Sequence, residues 1–188
     1  MNELYRKCTI RSIINLYVGG NDWPIGACGE QRLEEEGCMD ALERLEAIAE
    51  IRALKARYCR LLDRKSWEEW GQVFTADVVM DVSDDIKPAM GEQLISGRGK
   101  VVEQVRGFMQ QAVTMHQVHE PEIALTAPGK ARGIWSMQDF VAWPDGVESP
   151  VPFRSTRALG WYEAEYAIED DQWRIARLKL VRQHAEMN

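Results

Sequence analysis

The chain has 188 residues, 45% of them hydrophobic, with a formal net charge of −7 and a pI near 5.1. That length supports one good core, and the acidic balance argues against nucleic acid or an anionic membrane surface as a partner, because both demand a basic face. The longest apolar run near the N-terminus, residues 13–18, is broken by Asn15 and falls far short of a bilayer span.

Residues 1–38 carry little pattern. Arg6, Lys7 and Arg11 precede the apolar run and Cys28 follows it, the outline of a secretion or lipoprotein signal, but Asn21, Asp22, Trp23 and Pro24 interrupt it. The expectation is a loosely ordered extension over 1–38, with Met39 as a candidate start and one domain over 39–188. Cys8, Cys28, Cys38 and Cys59 show no C-x-x-C spacing. They support neither a zinc site nor a disulfide framework, and point to a reducing, cytoplasmic setting.

From Met39 the periodicity is regular. Leu42, Leu45, Ile48, Ile51, Leu54, Tyr58, Leu61 and Leu62 recur at three- and four-residue steps, one face of a long helix that turns Tyr58 inward. Ser66 and Glu69 have capping-box spacing before a second helix with Trp67, Trp70, Val73 and Phe74 on its apolar face, leaving Asp63 in the elbow. A short strand over 77–82 and turn chemistry over 84–91 follow. Val101, Val102, Val105, Phe108 and Met109 mark a third helix. The period then changes to that of strands over 116–126, 131–143, 159–168 and 173–184, separated by Pro128-Gly129, Asp145-Gly146 and Asp170-Asp171. The expected fold is α+β: three N-terminal helices packed under a cone-shaped, curved antiparallel sheet with a cavity at its open end.

Strand parity says which polar groups enter that cavity. Trp135, Met137, Asp139, Val141 and Trp143 share one face of their strand, and Leu178, Leu180 and Arg182 share one face of the last. His116 and His119 are three apart, but in a strand they face opposite sides, so a shared metal is not expected; His184 is expected at the surface. An inward imidazole held by Asp63 or Asp139 is a general base usable near neutral pH. Tyr58 and Asp63 lie about 140° apart on an ideal helix, so both reach one cavity only if the helix ends or bends near Leu62. Trp135 is a candidate apolar wall for a ring-containing substrate. No dinucleotide fingerprint, Walker sequence or H-E-x-x-H zinc motif is present, and no cofactor is expected.

These residues carry a resemblance. Tyr58 and Asp63 in YCRLLD, His116 in MHQVHEPEI, Asp139 in GIWSMQD and Arg182 in VRQHAE make residues 41–186 similar to the SnoaL-like branch of the nuclear-transport-factor-like fold, which includes scytalone dehydratase, a hexachlorocyclohexane dehydrochlorinase and bile-acid 7α-dehydratase. The resemblance is closest to the bile-acid dehydratase type. It implies that Tyr58, Asp63, His116, Asp139 and Arg182 are the active-site set of a cofactor-independent dehydratase-type lyase acting on a hydrophobic small molecule, polycyclic ones included, and that the protein is a homotrimer. Val118 stands where that motif has glycine and is expected to shape the cavity wall. An isomerase or cyclase using the same base, or a binding-only member of the fold, are the alternatives.

Overall fold

The computed structural model describes residues 39–85 and 93–188. The expectations for 1–38, including Cys8, Cys28 and Cys38, and most of the turn expected over 84–91 therefore lie outside the described residues.

Helix α1 spans Ala41–Asp63, and its start is set by a feature the apolar stripe does not show. Asp40 caps it: the Asp40 carboxylate accepts from the Glu43 N–H at 2.8 Å and the Glu43 carboxylate from the Asp40 N–H at 2.9 Å. Leu42 and Leu45, placed on the buried face by spacing, are 63% and 65% exposed, and core contact begins only at Ala47. The short helix α2, Trp67–Gly71, follows Ser66, whose side chain makes no cap bond, so the capping box expected there does not form. Strand β1 (Phe74–Asp84), β2 (Leu94–Ser96) and helix α3 (Arg98–Met109) come next. The apolar alternation from 116 to 126 resolves into two strands, β3 (Val113–Val118) and β4 (Glu122–Ala127), parted at His119-Glu120-Pro121 because Pro121 cannot donate to a ladder. The long strands β5 (Lys130–Ala142), β6 (Ser155–Glu169) and β7 (Gln172–Met187) complete the sheet.

The strand order is β2-β1-β7-β6-β5-β3, with β4 also on β5. The pairs are antiparallel except for β1, which runs parallel to β7, so the curved sheet is mixed. Asp170 and Asp171 make the two-residue β6–β7 turn with φ of 52° and 58°, the left-handed values that a right-twisted hairpin requires. Ile51, Leu54, Tyr58 and Leu62 of α1 pack into one core with Met137, Tyr162, Ala164, Ile175 and Leu178 of the sheet. Trp70 and Phe74 meet edge-on with centroids 4.8 Å apart, and Tyr58 lies within 6 Å of both.

A bulge in β7 fixes which side chains reach the open end. Leu159 pairs with His184 while Gly160 pairs with Arg182, so Gln183 is an extra residue. The two backbones approach so closely there that a Cβ on residue 160 would lie 2.0 Å from the Val181 carbonyl oxygen. Gly160→Ala is expected to force the strands apart and lower stability by about 1–3 kcal/mol, measurable by urea unfolding. An unchanged midpoint would show that the bulge yields freely.

Candidate active site

Asp63 is the last residue of α1, and the end of the helix solves the angular problem posed by Tyr58 and Asp63. The Arg64 N–H still bonds to the Arg60 carbonyl, and Lys65 then turns the chain away with φ of 61°. Tyr58 thereby faces the cavity while Asp63 comes to rest against β3.

On β3 the inward residues are Thr114 and His116, both buried. Asp63 gathers this strand: it accepts from the Thr114 hydroxyl at 2.8 Å and the His116 backbone N–H at 2.9 Å, and one of its oxygens lies 2.7 Å from His116 Nδ1. Lys65 Nζ donates to Thr114 Oγ1 at 2.6 Å and supports the group from outside. Burial alone would raise the Asp63 carboxyl pKa, but hydrogen bonds from the His116 ring, the His116 N–H and Thr114 outweigh it and hold the pKa below the usual range. With a carboxylate on Nδ1, the neutral ring carries its proton there and keeps the Nε2 lone pair, a tautomer inferred from the bonding. His116 itself lines the cavity.

The Asp63 shift makes an acid-side prediction. A lowered folded-state pKa contributes stability that is present above the unfolded value of about 4 and is lost as pH falls through the folded value. Wild type and Asp63→Asn should therefore differ in urea midpoint near pH 6 and converge as the pH drops toward about 2. A gap that persists at low pH would mean that shape, not charge, sets the contribution of Asp63.

Asp139 lies directly opposite His116 in the β3–β5 register and is 5% exposed. One of its oxygens accepts from Arg182 Nη1 at 2.6 Å, and the other, Oδ1, is buried with no hydrogen-bond partner among the described residues. Arg182 also donates through Nε to Asp85 at 2.7 Å. Burial works against the Arg182 charge, but the carboxylates of Asp139 and Asp85 overcome it and raise its pKa. The guanidinium is thus held between two carboxylates and is their counter-charge. Tyr58 is pushed above the ordinary phenol pKa, first by burial, and stays protonated as a donor.

Tyr58, His116, Asp139 and Arg182 share the wall of one cavity of about 110 Å³, with Asp63 behind His116. Much of the remaining wall is apolar, including Leu62, Met80, Val141, Leu178 and Leu180. Phe108 and Phe153 also line the cavity, each ring set edge-on to Trp143. The two residues expected to touch substrate do not lie on this wall. Trp135 is core, its Nε1 donating to the Tyr166 hydroxyl at 2.8 Å, because the cavity occupies the Asp139–Val141 end of the inner face of β5. Val118 is half-buried against the main core. His119 and His184 are exposed. Tyr162 and Asp85 line the cavity and escaped sequence reasoning, as did Lys55, whose Nζ lies against the rings of Tyr58 and Tyr162. Lys55 was the most legible of them, a lysine on the buried stripe between Ile51 and Tyr58.

A SnoaL-like domain is matched over residues 43–179. The chain belongs to the SnoaL-like family. Its fold is shared with hexachlorocyclohexane dehydrochlorinase type 3 from Novosphingobium barchaimii (TM-score 0.65, 16% identity, 79% of this chain and 94% of that one). A scytalone dehydratase-like protein from Novosphingobium aromaticivorans is similar at a TM-score of 0.63, with 16% identity over 77% of this SnoaL-like chain and 89% of the other. A protein of unknown function from Mycobacterium tuberculosis aligns at a TM-score of 0.62, with 22% identity over 79% of each chain. At these identities the likeness is one of fold, so the chemistry of this SnoaL-like protein rests on its own cavity. No helix among its described residues is long and apolar enough to cross a membrane.

Proposed function

We propose that this SnoaL-like protein is a cofactor-independent lyase of the dehydratase type, similar in its residue set to the bile-acid dehydratases, with His116 as general base. The observation that carries this reading is the 2.7 Å contact between His116 Nδ1 and Asp63, which holds one ring nitrogen while the imidazole lines an apolar cavity. His116 Nε2 takes a proton from carbon next to a carbonyl, and Asp63 stabilises the imidazolium that forms. Tyr58 donates to the carbonyl oxygen as it gains charge. The electrons of the broken C–H bond form the new double bond, the C–O bond breaks, and the departing hydroxide takes the proton from the imidazolium and leaves as water. Asp139 Oδ1, which has no partner among the described residues, accepts from a substrate hydroxyl, and Arg182 holds the carboxylate in place through its other oxygen.

The cavity supports a hydrophobic substrate and limits how much of it is enclosed. At about 110 Å³ it is comparable with the space that holds a single benzene ring, about 150 Å³. A polycyclic substrate would place only its reacting ring inside. The exposed apolar side chains Val113 and Met115 on β3 and Leu159 on β6 favour self-association, and a trimer is proposed; a monomer mass in sedimentation at micromolar concentration would overturn that.

Incubation with β-hydroxy ketones, hydroxysteroid thioesters and aromatic polyketide precursors in deuterated water, followed by mass spectrometry, tests the reading. Loss of water from a substrate is the expected result. Deuterium uptake without mass loss would make the protein an isomerase or cyclase using the same base. Binding without either would leave a ligand-binding member of the fold.

A further inference from the structure

Lys55 takes no part in the His116 chemistry, yet it is fully buried against two rings of the cavity wall and its Nζ has no hydrogen-bond partner among the described residues. Nζ lies 3.6 Å from the ring centroid of Tyr162 and 4.1 Å from that of Tyr58. The two rings stand 6.0 Å apart at 73°, and both reach the cavity wall. A buried amine without a partner is costly, and an apolar side chain of similar length would fill the same space without that cost. Among the described residues, the other cations near the site are engaged: Arg182 with Asp139 and Asp85, Lys65 with Thr114.

We propose that Tyr162 acts with Tyr58 as a second hydroxyl donor to the substrate oxygen that gains charge, and that Lys55, lying against both rings, is the positioning residue that strengthens them. A cation on a ring face is attracted by the π electrons and draws charge out of the phenol, which makes its O–H a better donor to an oxyanion. Burial raises the pKa of both tyrosines, so each reaches the substrate as a protonated donor. Burial lowers that of Lys55 to about 7, so an arriving negative oxygen can draw a proton onto it near neutral pH. The groups that face Lys55 are Tyr58 and Cys59 of α1 and Tyr162 of β6, with Asp63 and Asp139 acting on the tyrosines from the end of α1 and from β5. The proposal rests on the reading that Tyr58 meets the substrate oxygen, and is independent of whether water is then eliminated.

The probe is a ring-fluorinated phenol, one ring in size and anionic when ionised, with fluorobenzene as its oxygen-free control. Affinities are read by fluorine NMR for wild type, Tyr162→Phe, Lys55→Met and the double variant. Each single change is expected to weaken the phenolate about tenfold or more while leaving fluorobenzene nearly unchanged, and the double variant to lose less than the product of the two. Carbon NMR of the Lys55 side chain should show its titration moving to higher pH when phenolate binds. Undiminished phenolate affinity in Lys55→Met, a Lys55 titration indifferent to the probe, equal losses for phenolate and fluorobenzene, or a wild type that does not prefer the phenolate would each overturn the proposal. Phenolate binding as expected with no turnover of any candidate substrate would sink the lyase reading alone.

Discussion

His116→Ala should lower turnover of a dehydrated substrate by about 10²–10⁴, the usual contribution of a positioned general base. The expectation rests on what remains once the ring is gone. Asp63 keeps the Thr114 hydroxyl and the backbone N–H of residue 116 as donors, so its carboxylate is not left unpaired in the interior. The strand should therefore hold its register, and the loss should fall on kcat far more than on stability. Tyr58, Asp139 and Arg182 still line the cavity, so KM should change little. The comparison variant is Asp63→Asn, which keeps the shape but removes the charge that stabilises the imidazolium, and should show a smaller loss in kcat. Steady-state kinetics on the best substrate of the panel, with urea unfolding as control, decides the matter. Unchanged turnover in a folded His116→Ala protein would remove this residue from the mechanism.

Lys55→Met should make the protein more stable at and below neutral pH. Burial lowers the Lys55 pKa from 10.5 to about 7, with the nearby Cys59 acting weakly the other way. Between these values the unfolded chain binds the proton more tightly than the folded one, so the stability of wild type rises with pH across that window. The destabilisation is fully present below about pH 7 and fades toward pH 10, where the unfolded lysine is also losing its proton. Its size is on the order of 3–5 kcal/mol, with the two tyrosine rings compensating part of the lost hydration. Methionine matches the stem and brings no charge, so the urea midpoint of the variant should exceed that of wild type near pH 6 and the difference should shrink as pH rises. A variant less stable than wild type at every pH would show that the ring contacts outweigh the burial of the amine.

Faces were legible in the sequence where one element alone decides them. The three- and four-residue steps through Ile51, Leu54 and Tyr58 set the inward face of α1, and strand parity put Asp139 and Arg182 inside. Depth along a face was not legible. Trp135 and Asp139 share a side of β5, but only the position of the cavity makes one a core residue and the other a site residue. Pairing between distant segments was also hidden: β1 lies beside β7, and no local pattern marks that pair as parallel. Gly160 looks like an ordinary glycine until the Val181 carbonyl is placed against it. Lys55 broke the apolar stripe of α1 in plain view, but a single lysine on a helix is usually solvated, and the rings that face it come from more than one element. Tyr162 follows from strand register, and Asp85 from the path of the chain just past β1, neither of which periodicity supplies.

Asp63, Tyr58 and Lys55 stand on one helix, whereas His116, Asp139, Tyr162 and Arg182 stand on four strands of the sheet. No single element holds a working subset of the site. The proposed base is on β3 and its carboxylate partner at the end of α1; the two phenols are divided between α1 and β6. Undocking of α1, even with every strand still paired, would separate the imidazole from its carboxylate. Activity should therefore report on the seating of one helix, and thermal inactivation should follow amide exchange in the last turns of α1 rather than exchange in the β5–β6 ladder.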